Sequence, residues 1–233
     1  MVKHIPNALT LLNVFCGSCA LVSIQNGRYT EGYVFLIVAL VADFFDGFVA
    51  RALHVKSDMG KELDSLADMV SFGVVPGMIL YKLLKTSSLV SFFEHSYLPL
   101  LAFIITAFSC YRLAKFNLDT RQTTDFIGLA TPANTLFFIG LLLIKQNELE
   151  GLDEIVSNAA FLYALIPLSS FLLVSEIPMF SFKFKGFGWV GNEIRFIFAA
   201  IAIVLLVLMH EAAISLLVVI YVLINIIKNR LRD

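Results

Sequence analysis

Four aspartates lie in or beside strongly apolar segments in the first third of the chain: Asp43, Asp46, Asp64 and Asp68. Burying an uncompensated carboxylate in a membrane costs roughly several kcal/mol, so such residues indicate a functional site. Asp43 and Asp46 are three residues apart and Asp64 and Asp68 are four apart, which places each pair on one face of its helix. Two facing helices would close an all-oxygen site that suits Mg²⁺ or Mn²⁺. Four carboxylates suit two ions better than one.

Small residues and an arginine accompany these aspartates at fixed spacings. The segment fits the pattern D-x2-D-G-x2-A-R-x8-G-x3-D-x3-D, which is filled by Asp43, Asp46, Gly47, Ala50, Arg51, Gly60, Asp64 and Asp68. Small side chains let a ligand approach the backbone closely, although they also favour helix packing. The arginine could bind a phosphate through two hydrogen bonds, or it could anchor a helix end at the cytoplasmic face.

This pattern resembles the motif of the CDP-alcohol phosphotransferase family. The resemblance implies that two divalent ions, Mg²⁺ or Mn²⁺, are held by Asp43, Asp46 and Asp64. It also implies that Asp68 is the general base and a further metal ligand. In this family an acceptor hydroxyl attacks the lipid-bearing phosphorus of a CDP-linked lipid and expels CMP. The residues expected to bind that lipid within the motif are Gly47, Ala50, Arg51 and Gly60.

A second segment, near the N-terminus, resembles the P-N-x-x-T sequence with which the family begins. Here Asn7 and Thr10 fill its polar positions, and the resemblance implies that they line the nucleotide or diphosphate site. An ordinary helix start after Pro6 is the alternative explanation, because proline is common at the first position of a helix.

Three further segments resemble the branch of the family that uses L-serine as acceptor: residues 60–73, 111–117 and 126–133. The resemblance covers residues 5 to 140 and implies that CDP-diacylglycerol and L-serine give phosphatidylserine and CMP. Ala130 departs from the pattern, because a proline is expected there. A sister enzyme that accepts glycerol 3-phosphate or inositol phosphate is the alternative, and it should present extra cations at the mouth of the site.

Two basic residues, Arg112 and Lys115, are candidates for binding the serine carboxylate. They are three residues apart near the end of the fourth apolar segment, so both could face the site. Arg112 is the better candidate, since a guanidinium can hold a carboxylate through two hydrogen bonds. The alternative is that both residues merely fix the membrane topology.

The composition indicates an all-α, polytopic membrane protein. Of the 233 residues, 59% are hydrophobic and 15% are charged, and the mean hydropathy is +0.86, which is too apolar for a soluble domain. About eight transmembrane helices are predicted, near residues 8–25, 30–50, 63–84, 97–118, 127–145, 157–175, 194–209 and 212–227. We expect one domain over residues 1–233. The resemblance implies a six-helix catalytic core and a homodimer.

The distribution of lysine and arginine predicts the orientation in the cytoplasmic membrane. With both termini inside, thirteen of these residues are cytoplasmic and four are outside, as the positive-inside rule requires. Residues 51–62 and 119–125 are then cytoplasmic, and residues 85–96 and 146–156 face outward. The carboxylate site opens to the cytoplasm, where a nucleotide can reach it.

Two other classes of function fit the sequence poorly. A net charge of −1 argues against a nucleic-acid partner. An ion-coupled transporter could also bury acidic residues, but it would place them near the bilayer midplane and in repeated halves. The aspartates of this chain cluster at one end of one helical hairpin, and residues 120–233 contain no matching set.

Overall fold

Helices make up most of the chain, and the two strands contain two residues each. The structure, a computed structural model, describes residues 4–55, 57–87, 97–119, 121, 126–149, 151–181, 188–189 and 191–230. The α-helices are α1 (Ile5–Gln25), α2 (Tyr29–Ala52), α3 (Asp58–Asp68), α4 (Val75–Lys85), α5 (Ile104–Leu118), α6 (Thr131–Gln146), α7 (Leu152–Ser157), α8 (Ala159–Val174), α9 (Glu193–Met209) and α10 (Ala212–Arg230). A π-helical turn (Met69–Val74) joins α3 to α4, a 3-10 helix (Leu98–Phe103) precedes α5, and the strands are β1 (Phe126–Ile127) and β2 (Pro178–Met179).

Each apolar segment predicted from the sequence corresponds to a helix. In the described chain, five helical stretches are long and apolar enough to cross a membrane: Ile5–Gln25, Tyr29–Ala52, Asp58–Lys85, Leu98–Leu118 and Ala212–Arg230. Helices α6 and α8 have 16 residues each, and α9 has 17. The prediction of an all-α, multi-pass membrane protein is therefore confirmed. Parts of the predicted loops lie outside the described residues, namely Lys56 and residues 88–96, 120, 122–125 and 150.

A tight reversal between α2 and α3 brings the two aspartate pairs together. The backbone N–H of Val55 donates to the carbonyl oxygen of Ala50 at 2.9 Å, and His54 has a left-handed φ of 53°, as in a Schellman helix end. The chain then enters α3 at Ser57, whose side chain accepts a hydrogen bond from the N–H of Gly60 at 3.0 Å. One helix therefore ends and the next begins within a few residues.

The π-helical turn follows Asp68 directly. A π-turn leaves carbonyl groups poorly paired within the helix, and two threonines from other helices supply donors. The Thr106 hydroxyl donates to the carbonyl oxygen of Gly73 at 3.0 Å, and the Thr135 hydroxyl donates to that of Phe72 at 3.2 Å. The turn is therefore held by α5 and α6.

A short β-pair joins the loop before α6 to the loop after α8. Phe126 pairs with Met179 in antiparallel register. Gly128 follows with a φ of 75°, and a Cβ atom there would lie 2.8 Å from the carbonyl oxygen of Leu173, so this position requires glycine. Ala130, where a proline was expected, has a φ of −68°. Because proline fixes nearly the same φ, the alanine keeps the backbone in a proline-compatible shape.

The main apolar core lies between α1, α4, α6 and α8. Its fully buried side chains include Ile24, Ile79, Phe138 and Leu162. Helices α9 and α10 correspond to the last two predicted segments, residues 194–209 and 212–227, and pack against each other as a hairpin. The break falls at His210, which has a φ of 47°, and α10 packs against α6. The aspartates therefore lie at one end of a bundle whose core is apolar.

Candidate active site

Three of the four predicted aspartates converge on one point. Carboxylate oxygens of Asp43, Asp64 and Asp68 lie within 4.8 Å of one another. Asp43 comes from α2, and the other two come from α3, as the spacing predicted. Like charges this close repel one another strongly unless a cation or a proton intervenes.

These carboxylates fit a divalent cation. Oxygen ligands without histidine or cysteine are the set that Mg²⁺ and Mn²⁺ prefer. The Oδ1 atom of Asp64 is buried and has no hydrogen-bond partner among the described residues. A buried carboxylate oxygen is costly to leave unpaired, so this atom is suited to metal ligation.

Asp46 is not part of this close group, but it interacts electrostatically with Asp43 and Asp64 and also contacts α1. Its side chain is 6% exposed, and its Oδ2 accepts a hydrogen bond from the Thr10 hydroxyl at 2.6 Å. The two predicted motifs, one on α1 and one on α2, are thus joined directly through Thr10 and Asp46.

Asp68 is held by an asparagine, Asn13, that the motifs did not predict. The Asn13 amide nitrogen donates to the Asp68 Oδ1 at 3.3 Å, and Asn13 is fully buried. The side-chain oxygen of Asn13 has no partner in the described part of the chain. Asn7, Thr10 and Asn13 follow one another at intervals of three residues. That spacing places them along one face of a helix and could have identified Asn13.

A cavity of about 480 Å³ adjoins the carboxylates at the α2–α3 reversal. Its lining includes Asn7, Thr10, Asp46, Gly47, Ala50, Gly60 and Asp64, which are all predicted site residues. Ser57, Asp58 and Lys61 also line it. The motif did not predict them because they lie at its variable positions. The cavity is large enough for a nucleotide-sized group.

The small residues allow close approaches at the cavity wall. A Cβ atom at Gly60 would lie 2.9 Å from the Ser57 hydroxyl oxygen and 3.4 Å from the Asn7 side-chain oxygen. A Cβ atom at Gly47 would lie 3.2 Å from the Nη1 of Arg51. The exposed Arg51 side chain therefore folds back over Gly47 to the edge of the cavity, although it is not part of the lining.

Arg112 lies behind the carboxylates rather than in the cavity. Its side chain is 7% exposed, and the guanidinium lies over the ring of Phe116 at 5.0 Å from the centroid. It also interacts electrostatically with Asp68. Of the two residues predicted to bind the serine carboxylate, Arg112 is therefore the one placed beside the aspartates.

Lys115 belongs to a different group, at the surface. Its ammonium donates to Glu176 and to the carbonyl oxygen of Val174, and Arg121 also pairs with Glu176 at 3.1 Å. The hydrogen bond from Lys115, with a further one from Arg121, lowers the pKa of Glu176 below its ordinary value. The structure thus separates Arg112 from Lys115, whose charge is paired with Glu176.

Helix α5 is tied to α3 at the same end of the bundle. The Asn117 amide donates to the Ser65 hydroxyl at 2.8 Å, and the Lys61 ammonium donates to the carbonyl oxygen of Asn117 at 2.7 Å. These contacts fix the end of α5, and with it Arg112, relative to α3.

Comparison with known proteins identifies the family to which the chain belongs. The family model described as CDP-alcohol phosphatidyltransferase matches residues 3–224. A protein named CDP-diacylglycerol–serine O-phosphatidyltransferase in Bacillus subtilis is 34% identical over 143 residues, which cover 61% of this chain and 74% of the relative. Proteins of the same name are 32% identical over 182 residues in Mycobacterium tuberculosis (75% of this chain, 60% of the relative) and 31% identical over 165 residues in Methanocaldococcus jannaschii (71% of each). The resemblance inferred from the motifs is confirmed, and the chain belongs to the CDP-alcohol phosphatidyltransferase family.

Proposed function

We propose that this protein transfers the phosphatidyl group of CDP-diacylglycerol to L-serine and releases phosphatidylserine and CMP. The observation that carries the proposal is the convergence of Asp43, Asp64 and Asp68 beside a nucleotide-sized cavity. The names of the relatives support serine as the acceptor.

The cavity residues would bind the CDP part of the lipid substrate. Asn7 and Thr10 supply polar groups from α1, and Gly47, Ala50 and Gly60 leave room for the diphosphate near the backbone. Arg51, folded over Gly47, can donate to a phosphate oxygen from the edge. The acyl chains remain in the bilayer because the cavity lies at the end of membrane-spanning helices.

The aspartates would hold two divalent ions, Mg²⁺ or Mn²⁺. We assign Asp43, Asp46 and Asp64 as ligands, with Asp68 as a further ligand of the second ion. Such ions, when bound, neutralise the diphosphate and the charge on the departing CMP phosphate. The buried, unpaired Asp64 Oδ1 and the oxygen-only ligand set support this assignment.

Asp68 would act as the general base. It takes the proton of the serine hydroxyl while that oxygen bonds to the lipid-bearing phosphorus, and the bond from this phosphorus to the bridging oxygen breaks with release of CMP. The hydrogen bond from Asn13 fixes the orientation of the Asp68 carboxylate. Arg112, beside Asp68, would bind the serine carboxylate and so bring the hydroxyl to the base.

We further propose a homodimer in the cytoplasmic membrane, with the site open to the cytoplasm and the whole chain forming one domain. The excess of basic residues in the predicted inner loops supports the orientation. The family resemblance supports the dimer.

Product analysis tests the acceptor. Purified protein is incubated with CDP-diacylglycerol, Mn²⁺ and either L-serine, glycerol 3-phosphate or inositol phosphate, and the lipid product is identified by mass spectrometry. We expect phosphatidylserine, with one CMP released for each molecule formed. Transfer to glycerol 3-phosphate but not to serine would reject the proposal.

The role of Arg112 has its own test, with Lys115 as the matched control. Arg112→Ala should raise the KM for serine roughly tenfold or more, which corresponds to about 1.4 kcal/mol of binding, with little change in the KM for CDP-diacylglycerol. Lys115→Ala should change the serine KM much less, because Lys115 already pairs with Glu176. Equal losses of both affinities in Arg112→Ala would place Arg112 at the diphosphate instead.

A further inference from the structure

A second cavity, of about 240 Å³, lies between α6, α8 and α10. Its wall is almost wholly apolar and includes Phe137, Leu172, Val218 and Val222. At this volume it is smaller than typical small-molecule pockets of roughly 300–1,000 Å³. It therefore suits a narrow, unbranched apolar group rather than a bulky one.

Asn134, one of two polar residues in the lining besides the apolar ones, the other being Ser169, has no hydrogen-bond partner among the described residues. Asn134 lines the cavity and is 1% exposed. Neither its amide nitrogen nor its amide oxygen has a hydrogen-bond partner among the described residues. A buried, unpaired amide costs free energy, so the site is chemically incomplete without a polar group from a ligand.

The cavity opens on the apolar outer surface of the helix bundle. Leu168, Val219 and Leu223, which lie on its rim, are 53%, 41% and 50% exposed. Apolar side chains at this exposure on membrane helices face acyl chains. A lipid tail can therefore enter between α8 and α10 without crossing a polar surface.

The positions along the helices give the cavity a direction. Asn134 lies one turn from the start of α6, and the same end of the cavity is closed by Leu172, whose carbonyl oxygen accepts from the N–H of Leu129 at 2.8 Å. Phe137, Leu165 and Val218 line the cavity farther from this end. The polar group therefore lies near the membrane interface, and the apolar part extends toward the bilayer interior.

This cavity is separate from the candidate active site. The active-site cavity is lined by residues 6–64, whereas this one is lined by residues 129–226. A glycerophospholipid has the matching arrangement, with an ester carbonyl near the interface and an acyl chain that runs inward. We propose that the cavity binds one acyl chain of a bilayer glycerophospholipid other than the substrate, whose ester carbonyl accepts a hydrogen bond from the Asn134 amide.

Photocrosslinking tests this proposal. The full chain is placed in nanodiscs with a trace of phosphatidylglycerol that carries a diazirine on one acyl chain, and the crosslinked peptides are mapped by mass spectrometry. We expect crosslinks concentrated on residues 134–137, 165–172 and 218–226. Ser169→Phe, which fills the cavity at a buried lining position, should abolish them. Asn134→Leu should reduce them roughly fivefold, the loss expected for one hydrogen bond.

The matched control is Val204→Phe, at a position on α9 that is 54% exposed and outside the cavity, and it should leave the crosslinks unchanged. Retained serine transfer shows that each variant is folded. Equal crosslinking in the wild type and in both cavity variants would overturn the proposal, because it would mean ordinary surrounding lipid only. Displacement of the probe by CDP-diacylglycerol would mean that the cavity binds an acyl chain of the substrate. Loss of a dimer in Ser169→Phe would mean that a second copy of the chain occupies the cavity. Either result would also overturn the proposal.

Discussion

Asp43 and Asp68 share one carboxylate cluster but have different neighbours. Asp68 accepts a hydrogen bond from the Asn13 amide and interacts with Arg112, so its orientation is fixed by two other helices. Asp43 lies on α2 with its carboxylate directed to the cluster. Different surroundings for chemically identical groups are the usual way in which a site separates binding from proton transfer.

Asparagine substitutions should separate these roles. Asp68→Asn should lower turnover by at least roughly 10²-fold, since an amide cannot take the serine proton. It should weaken CDP-diacylglycerol binding less than Asp43→Asn, which removes a proposed metal ligand. Turnover assays and calorimetry with Mn²⁺ measure both quantities. Near-normal turnover in Asp68→Asn would refute the assignment of the base.

Glu176 gives the protein a pH-dependent surface contact. Its pKa is lowered in the folded state by the hydrogen bond from Lys115. Its contribution to stability is therefore complete above the ordinary pKa of a glutamate, about 4.3, and is lost as the pH falls through the lower folded value. Glu176→Gln should lower the Tm at pH 7, and the difference from the wild type should shrink below about pH 4.

Thermal denaturation in detergent at several pH values checks this expectation. Because Glu176 is exposed, high salt should also reduce the difference. Glu154→Gln, at an exposed position on α7, is the matched control and should leave the Tm unchanged. A difference that increased as the pH fell would contradict the assigned ion pair.

The π-helical turn and α1 are in very close contact. Gly17 of α1 faces the turn at Ser71, whose hydroxyl donates to the carbonyl oxygen of Asn13 at 3.0 Å. The same segment of α1 thus holds both Asp68, the proposed base, through the Asn13 side chain, and the turn that follows Asp68, through the Asn13 carbonyl. π-turns are frequent at functional sites, and here the contact connects α1 packing with the position of Asp68.

Gly17→Ala should disturb this contact. A Cβ atom at Gly17 would lie 2.1 Å from the Oγ and 2.9 Å from the Cα of Ser71, so a backbone must shift. We expect a loss of roughly 1–3 kcal/mol of stability and reduced turnover, measured by thermal denaturation and by the serine assay. Gly188→Ala is the control, because a Cβ atom there meets nothing within 4 Å. Equal stability of the two variants would show that α1 and the π-helical turn are not tightly packed at Gly17.

At the scale of the whole molecule, the orientation can be measured by cysteine labelling. In a variant without Cys16, Cys19 and Cys110, Met59→Cys should be inaccessible to an impermeant reagent added outside intact cells. Glu154→Cys should be labelled, because residues 146–156 are expected to face outward. Both positions are exposed, so burial does not confound the comparison. External labelling at Met59→Cys would show that the orientation is the reverse of the predicted one and that the site opens to the outside.

Much of this architecture could be predicted from the sequence because hydropathy and motif spacing are local properties. The spans, the α2–α3 hairpin and the convergence of Asp43, Asp64 and Asp68 follow from apolar runs and from i, i+3 and i+4 spacing. Such features need no knowledge of which distant helices pack together.

The remaining features depend on contacts between distant segments. The pairing of Lys115 with Glu176 joins residues 61 positions apart, and no local pattern indicates it. The unpaired amide of Asn134 becomes visible once α6, α8 and α10 are packed. The π-turn is likewise stabilised by Thr106 and Thr135 from other helices, so the sequence predicted an uninterrupted helix there.

The short length of α8 has a consequence for the surrounding membrane. Its 16 residues extend about 24 Å at 1.5 Å per residue, which is less than the hydrocarbon thickness of about 30 Å. Leu168 and Phe171 on this helix are exposed, so we expect lipid tails to contact it directly. Tilting would shorten the helix further across the membrane, so we expect the bilayer to thin beside α8. The protein should therefore favour thin membrane regions, and its turnover should fall as the acyl chains of the surrounding lipids lengthen.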